Sequence, residues 1–258
     1  MITLSLLIIC RRTDDLRIFC NTLNVCANPL ALFVVLTDSV YNEKLILYLI
    51  MMIVCDAPFI DGNMQCCILR SGRIRWFTGT VFYIILMVLI YWLCVFIICV
   101  LSIASVCEWT ADWGRVFRSL LKTGEIADLQ GDLRYLKAGS ALELFLISFS
   151  LKCMVSVMLA FITWLFNSRR CKNGGVIIAT AFILMHGHIT GWFVPVCWKF
   201  ISPVTLSNLN MLNIDGTMQT LSSIPYAFAF LIICNATLTV MLLQKSRTFE
   251  VETSVIYR

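Results

Sequence analysis

Charged residues are scarce in this chain of 258 residues, and that scarcity decides its broad class. Only 14% of the residues are Asp, Glu, Lys or Arg, whereas 60% are hydrophobic, and the mean hydropathy is +0.88. A soluble domain of this length has no use for so much apolar surface, and no polar segment is long enough to fold separately. The composition therefore predicts a single membrane domain.

The sequence also lacks the motifs of several kinds of site. It has no G-x-x-x-x-G-K-[ST] phosphate loop, so we expect no ATP binding of that type. Among its 13 cysteines, the adjacent pair Cys66-Cys67 has no second Cys or His pair at metal spacing, and we predict neither a metal nor a cofactor. The net charge of +5 is dispersed, which argues against a nucleic-acid partner. The sequence does not decide whether Cys107 and Cys197 form a disulfide.

Long apolar runs fill most of the chain. A helix needs about 20 apolar residues to cross a bilayer, and helices satisfy their own backbone hydrogen bonds there. We predict an all-α polytopic bundle with six spans, at residues 18–36, 45–60, 76–105, 141–166, 174–193 and 224–243.

The distribution of Lys and Arg predicts the orientation of this bundle. The N-terminus, the 61–75 loop, the 167–173 loop and the tail together carry twelve cations. The intervening loops carry seven, spread over longer stretches and mixed with acids. Cytoplasmic loops are enriched in Lys and Arg, so we expect both termini to be cytosolic.

The outer loop 106–140 contains a helical pattern. Apolar residues recur with helical spacing at Trp113, Val116, Phe117, Leu120 and Leu121. We expect Asp112 to cap the start of this helix and Gly124 to end it. We predict that it lies in the outer membrane interface with its apolar face towards lipid; a lid over an exit path is the alternative.

The cytosolic loop 61–75 is the most informative segment. It follows Asp56-Ala-Pro-Phe, and its end reads Leu69-Arg-Ser-Gly-Arg-Ile-Arg-Trp76 before an aromatic-rich span. This pattern resembles permease subunits of ATP-binding-cassette exporters, of the small six-span type of Firmicutes bacteria associated with efflux of antimicrobial peptides. The resemblance extends over roughly residues 45 to 250.

The resemblance implies a division of labour between two proteins. The 61–75 loop would be a coupling helix that docks on a separate ATP-binding-cassette ATPase, through Asp61, Arg70, Gly72, Arg73 and Arg75. This chain would then not be an enzyme. It would move an amphipathic peptide, antibiotic or lipid across the bacterial cytoplasmic membrane, in contact with membrane lipid, as a homo- or heterodimer of permeases.

Polar residues inside the spans are costly and call for a reason. Lys152 lies near the middle of the fourth span. We expect it to pair with a carboxylate such as Glu143 or Asp56, or to line a substrate pathway with Tyr83, Tyr91 and Trp92.

Two other classes of function stay open. The chain could be a non-transporting immunity or sensor protein that binds a peptide at its outer face. An intramembrane enzyme would need a constellation built from Glu143, Lys152, His186 and His188, whose spacing supplies no recognised pair.

Overall fold

The computed structural model describes residues 2–57, 68, 70–126, 129–130, 132–167, 174–189, 196–216 and 221–248. The described chain is mostly helical, in agreement with the all-α prediction. The helices are α1 (Ile2–Leu23), α2 (Pro29–Thr37), α3 (Val40–Val54), α4 (Arg73–Ser102), α5 (Gly114–Thr123), α6 (Arg134–Ala138), α7 (Ala141–Asn167), α8 (Gly174–Ile189), α9 (Val196–Ile201) and α10 (Ile224–Thr248). The strands have two residues each: β1 (Glu125–Ile126) pairs antiparallel with β2 (Leu129–Gln130), and β3 (Leu212–Asn213) pairs parallel with β4 (Ser222–Ser223).

Three of the described helices, α4, α7 and α10, are long and apolar enough to cross a membrane. The longest, α4, has 30 residues, which corresponds to about 45 Å at a rise of 1.5 Å per residue. The apolar helix α8 is shorter, with 16 residues. These helices make the chain a helical membrane protein, and they cover nearly the same residues as the last four predicted spans.

The N-terminal region differs from the expected first span at 18–36. Helix α1 ends at Leu23, and Asn24 takes a positive φ of 55°. Asn28 then caps a new helix by accepting a hydrogen bond from the backbone N–H of Leu30 at 3.0 Å, and Pro29 occupies the first turn. An Asn cap followed by proline starts a helix, so one continuous helix is not formed.

The second expected span, 45–60, also differs, because α3 already begins at Val40 and ends at Val54. Helices α2 and α3 are separated only by Asp38 and Ser39. The side chain of Asn42 donates to the carbonyl of Leu36 at 3.0 Å and so ties the start of α3 to the end of α2. All residues of α2 are buried.

Helix α7 lies at the centre of the bundle, in contact with α2, α3, α4, α8 and α10. At its far end, Asn167 Nδ2 donates to the carbonyl of Cys55 at 2.8 Å, just after α3. A Cβ at Gly175 would overlap the carbonyl oxygen of Thr163, so α7 and α8 touch backbone to backbone there. The core therefore forms around one helix that contacts most of the others.

The loop between α4 and α7 packs on the protein. The predicted helix is confirmed as α5, and its apolar residues Trp113, Val116, Phe117, Leu120 and Leu121 are all buried. Trp113 stacks on Tyr135 of α6, with 5.9 Å between ring centroids. The expectation that this face rests on lipid is wrong, because protein covers it.

The two caps predicted for α5 have opposite outcomes. Gly124 ends the helix in the left-handed conformation, with φ of 87°, as expected. Asp112 does not cap the start: Trp113 occupies that position without a side-chain hydrogen bond, and Asp112 instead approaches Arg118 at 3.6 Å. Cys107 is a free thiol, and the side chain of Cys197 lies outside the described residues.

Candidate functional site

The segment that joins the predicted cytosolic loop to α4 is described from residue 70 onward. Arg70 and Ser71 are helical, and α4 begins at Arg73. The side chains of Arg70, Arg73 and Arg75 are exposed. We call residues 70–75 the basic turn. Asp61, the remaining predicted docking residue, lies outside the described residues.

Gly72 sets the geometry of the basic turn. Its φ of 82° lies in the region that favours glycine, and it separates the short helical segment from α4. Apart from its chain neighbours, no atom of the described residues lies within 4 Å of the position that a Cβ would occupy. Beside the arginines, Ile74 is 57% exposed, and the turn therefore presents both charge and an apolar side chain.

The residues expected to form a substrate pathway fall into two environments. Tyr83 is exposed on α4, whereas Tyr91, Trp92 and Lys152 are buried. The Tyr91 hydroxyl donates to the carbonyl of Ile46 at 2.8 Å. These buried residues join helices to one another, and their role as a substrate pathway stays a prediction.

Lys152 in α7 is fully buried and forms an ion pair, as one of the sequence alternatives anticipated. Its partner is Asp38, in the break between α2 and α3, at 2.5 Å between Nζ and Oδ1. The expected partners Glu143 and Asp56 are wrong: Glu143 instead accepts from the backbone N–H of Ser140 at the start of α7. A lysine ammonium has three donors, and Lys152 also donates to Ser148 Oγ at 2.8 Å and to the Ser207 carbonyl at 3.3 Å.

The other oxygen of the Asp38 carboxylate is held from the loop side by Tyr135. The Tyr135 hydroxyl donates to Asp38 Oδ2 at 2.9 Å, and it also lies 2.7 Å from Asn210 Oδ1. Burial, followed by the neighbouring Asp38 carboxylate, raises the pKa of Tyr135 well above its ordinary value. Tyr135 is therefore a lasting donor to Asp38 at neutral pH.

A second buried carboxylate, Glu43 in the first turn of α3, has its own set of partners. Oε1 accepts from the hydroxyl of Ser207 at 2.8 Å, and Oε2 accepts from the side-chain amide of Asn208 at 2.6 Å. His186 of α8 places Nε2 3.4 Å from Oε2. The other ring nitrogen of His186 lies 3.1 Å from Thr205 Oγ1.

These contacts form one buried polar cluster, assembled from the α2–α3 break, α3, α6, α7, α8 and the segment 202–211. The cluster consists of Asp38, Glu43, Tyr135, Ser148, Lys152, His186, Thr205, Ser207, Asn208 and Asn210. Ionisable residues inside a membrane domain mark functional sites by default.

No protein family, curated protein or solved structure matches this chain. Function must therefore be inferred from these side chains and their surroundings.

One line of contacts in the cluster resembles the acid, base and hydroxyl of a hydrolase. It runs from Glu43 through His186 to Thr205. However, Thr205 is only 1% exposed, and its hydroxyl donates to Ser202 Oγ at 2.9 Å. A nucleophile must reach its substrate, so the surroundings do not favour catalysis.

Metal binding is not favoured either. Within the described part of the chain, no three His, Cys, Asp or Glu side chains lie together as metal ligands. His188, the second histidine considered from the sequence, has a side chain outside the described residues. The cluster is instead suited to holding paired charges.

Sequence reasoning missed Asp38, Glu43 and Tyr135 as site residues. A signal for the first two was present, because two acids flank a short polar stretch between apolar runs and Lys152 needs an acid. Nothing in the local pattern around Tyr135 distinguishes it, because its partner is 97 residues away in sequence.

Proposed function

We propose that this chain is the membrane subunit of an exporter driven by a separate ATP-binding-cassette ATPase, which docks on the 61–75 loop. The observation that carries the proposal is the basic turn. Its three exposed arginines, with Ile74 beside them, stand at the start of the longest helix in the described chain. Exposed cations can bind a partner protein whose surface carries the opposite charge.

Helix α4 offers a route by which force at the basic turn reaches the interior. It packs against α1, α2, α7 and α10. In the C-terminal half of α4, Trp92 Nε1 donates to Ser156 Oγ of α7 at 3.0 Å. The Ser156 hydroxyl in turn donates to the carbonyl of Lys152 at 2.8 Å. Displacement of α4 would thus act on the helix that carries the buried ion pair, as alternating access requires.

The proposal includes a six-span arrangement in the bacterial cytoplasmic membrane, with both termini cytosolic. Six spans are half of the set that such exporters use, so a second permease, identical or different, would complete the transporter. Helix α10 is the candidate for contact with lipid or that second subunit, since only 17% of its apolar window is buried, against 61% in α7. The substrate would be an amphipathic peptide, antibiotic or lipid.

A charge-reversal experiment tests the docking role. The tagged chain is expressed with the ATP-binding-cassette ATPase encoded beside its gene, and co-purification and ATPase activity are measured. We expect the triple variant Arg70→Glu, Arg73→Glu, Arg75→Glu to lose both association and stimulation of ATP hydrolysis, because the partner surface must complement positive charge.

The matched control reverses three exposed cations elsewhere. Arg115, Arg118 and Lys122 lie on the exposed face of α5, in the loop that follows α4. Their triple change to Glu should leave ATPase binding intact. Retained binding in the 70, 73 and 75 variant, or the absence of any such ATPase gene nearby, would rule out the proposal.

A second candidate is a non-transporting immunity or sensor protein. A cavity of about 370 Å³ on the outer loop favours it; the cavity is lined by Thr110, Ala111, Asp112, Gly114, Arg115 and Arg118. Its mixed charge would suit a peptide. Protection of cells against a peptide that persists after deletion of the ATPase gene would favour this reading over export.

A further inference from the structure

The buried polar cluster has an unbalanced formal charge. Asp38, Glu43 and Lys152 are all 0% exposed, so two carboxylates face one ammonium. A buried charge that has no partner of opposite sign is strongly unfavourable. Among the described residues, one further proton or positive charge is therefore needed to balance them.

Hydrogen-bond directions indicate that Lys152 and Asp38 are both ionised. Lys152 makes three donations, which only an ammonium can make. Both oxygens of Asp38 accept, from Lys152 and from Tyr135. On Glu43, Oε2 accepts from the Asn208 amide, and Oε1 lies 2.8 Å from Ser207 Oγ, whose one proton is also directed at the Val204 carbonyl at 2.7 Å. Lys152 and Asp38 thus form an ion pair, and Glu43 is left outside that pair.

His186 is placed to carry the missing charge. It is fully buried, with Nε2 facing the Glu43 carboxylate at 3.4 Å. Its Nδ1 lies 3.1 Å from Thr205 Oγ1, which itself lies 2.9 Å from Ser202 Oγ. Nε2 makes no hydrogen bond to the described residues, and the Glu43 carboxylate is beside it, so both ring nitrogens can act as donors, as they do in an imidazolium.

We propose that Glu43 and His186 form a proton-binding site inside the membrane domain, whose proton makes the buried cluster neutral. The inference does not depend on the exporter proposal. Among the described residues, the titratable groups around the pair are Lys152 from α7, Asp38 from the α2–α3 break and Tyr135 from α6. The side chains of the segment 202–211 contribute only hydroxyl and amide groups as polar partners.

The proton would control the attachment of the segment 202–211. Ser207 and Asn208 bind Glu43, and Thr205 binds His186. As the pH rises and the proton leaves, the cluster keeps an uncompensated negative charge, and the contacts that hold this segment on α3 and α8 weaken. Protonation and the position of one connecting segment are thereby linked.

The chain suits a direct test because it has only two histidines, His186 and His188. In a His188→Gln chain, with histidine labelled by ¹³C and ¹⁵N, magnetic resonance in nanodiscs reports the ring state of His186 alone. We expect an imidazolium signal at pH 7. We also expect Glu43→Gln, which keeps the size of the side chain, to lose that signal in favour of a neutral ring.

The matched control is Glu143→Gln, an exposed acid in the first turn of α7, which should leave the imidazolium signal unchanged. A neutral His186 ring at pH 7 without the Glu43 change, or an unchanged imidazolium signal in Glu43→Gln, would overturn the proposal. So would a neutral ring whose signals shift when sodium replaces choline, because a metal cation would then balance the charge. If Glu43→Gln does not fold, the His188→Gln chain still tests the proposal, because a neutral His186 ring at pH 7 would contradict it.

Discussion

Charged side chains have opposite environments in the basic turn and in the buried polar cluster. In the basic turn, Arg70, Arg73 and Arg75 are exposed to solvent. In the buried polar cluster, Lys152 and Asp38 are withdrawn from solvent completely, and their polar atoms are matched by partners. Exposed charge is available to another molecule, whereas buried charge fixes the protein's own helices. The same substitution should therefore act on assembly in one region and on stability in the other.

The sharpest way to test this contrast is to remove Lys152. Lys152→Met leaves the Asp38 carboxylate buried without its cation, and we expect a loss of about 3–5 kcal/mol in the free energy of unfolding. Lys122→Met, at an exposed position on α5, should change stability by no more than about 0.5 kcal/mol. Denaturation in detergent micelles measures both.

A double variant sharpens the same test. Adding Asp38→Asn to Lys152→Met removes the orphaned charge and should recover part of the loss, because the penalty belongs to the unpaired carboxylate. If Lys152→Met and Lys122→Met were equally stable, the buried ion pair of Lys152 would not have the large effect on stability that we expect.

The next largest effect is expected at Tyr135. Tyr135→Phe removes a donor to a buried carboxylate, and hydrogen bonds to charged groups contribute about 1.5–3 kcal/mol. The pKa of Tyr135 is raised in the fold by burial and by Asp38, while an unfolded tyrosine ionises near pH 10 (about 10 in model peptides). Above that pH the unfolded chain loses a proton that the fold retains, so stability falls as the pH rises.

Comparison with Tyr135→Phe isolates this contribution from other alkaline titrations. The difference in stability between the two chains should be constant below about pH 10 and should narrow above it, measured by unfolding at a series of pH values. A difference that grows with pH would contradict the assigned direction.

The smallest effect should come from a surface ion pair. Arg118 and Asp112 approach at 3.6 Å, with side chains 57% and 70% exposed. Arg118→Ala should lower the free energy of unfolding by no more than about 1 kcal/mol, because solvent screens such pairs. Unfolding measurements on this variant and on Lys152→Met compare an exposed ion pair with a buried one. Similar losses of stability in the two variants would contradict the expected difference between buried and exposed charge.

Much of the helical framework was predictable because long apolar runs allow few alternatives. Helix α7 starts at Ala141 as expected, and the helical face of α5 follows directly from the spacing of its apolar residues. The N-terminal helices were not predictable in the same way. The short break at Asp38 and the cap at Asn28 interrupt a run that by composition alone looks like one or two ordinary spans.

The polar cluster was even harder to predict, for a different physical reason. Lys152 meets Asp38 across 114 residues of sequence, and Glu43 meets Asn208 across 165. No local period records such contacts, because they arise from how the helices pack. The sequence does indicate that Lys152 has a carboxylate partner, because a lysine inside an apolar run is costly unless it is paired.

Helix α2 has a consequence for how the chain is built. It has nine residues, all of them buried, and its neighbours include α4 and α7. At about 13.5 Å (nine residues at a rise of 1.5 Å) it is too short to cross the bilayer alone. Its binding surfaces on α4 and α7 are synthesised after it, so α2 can complete its packing only once those helices have been made.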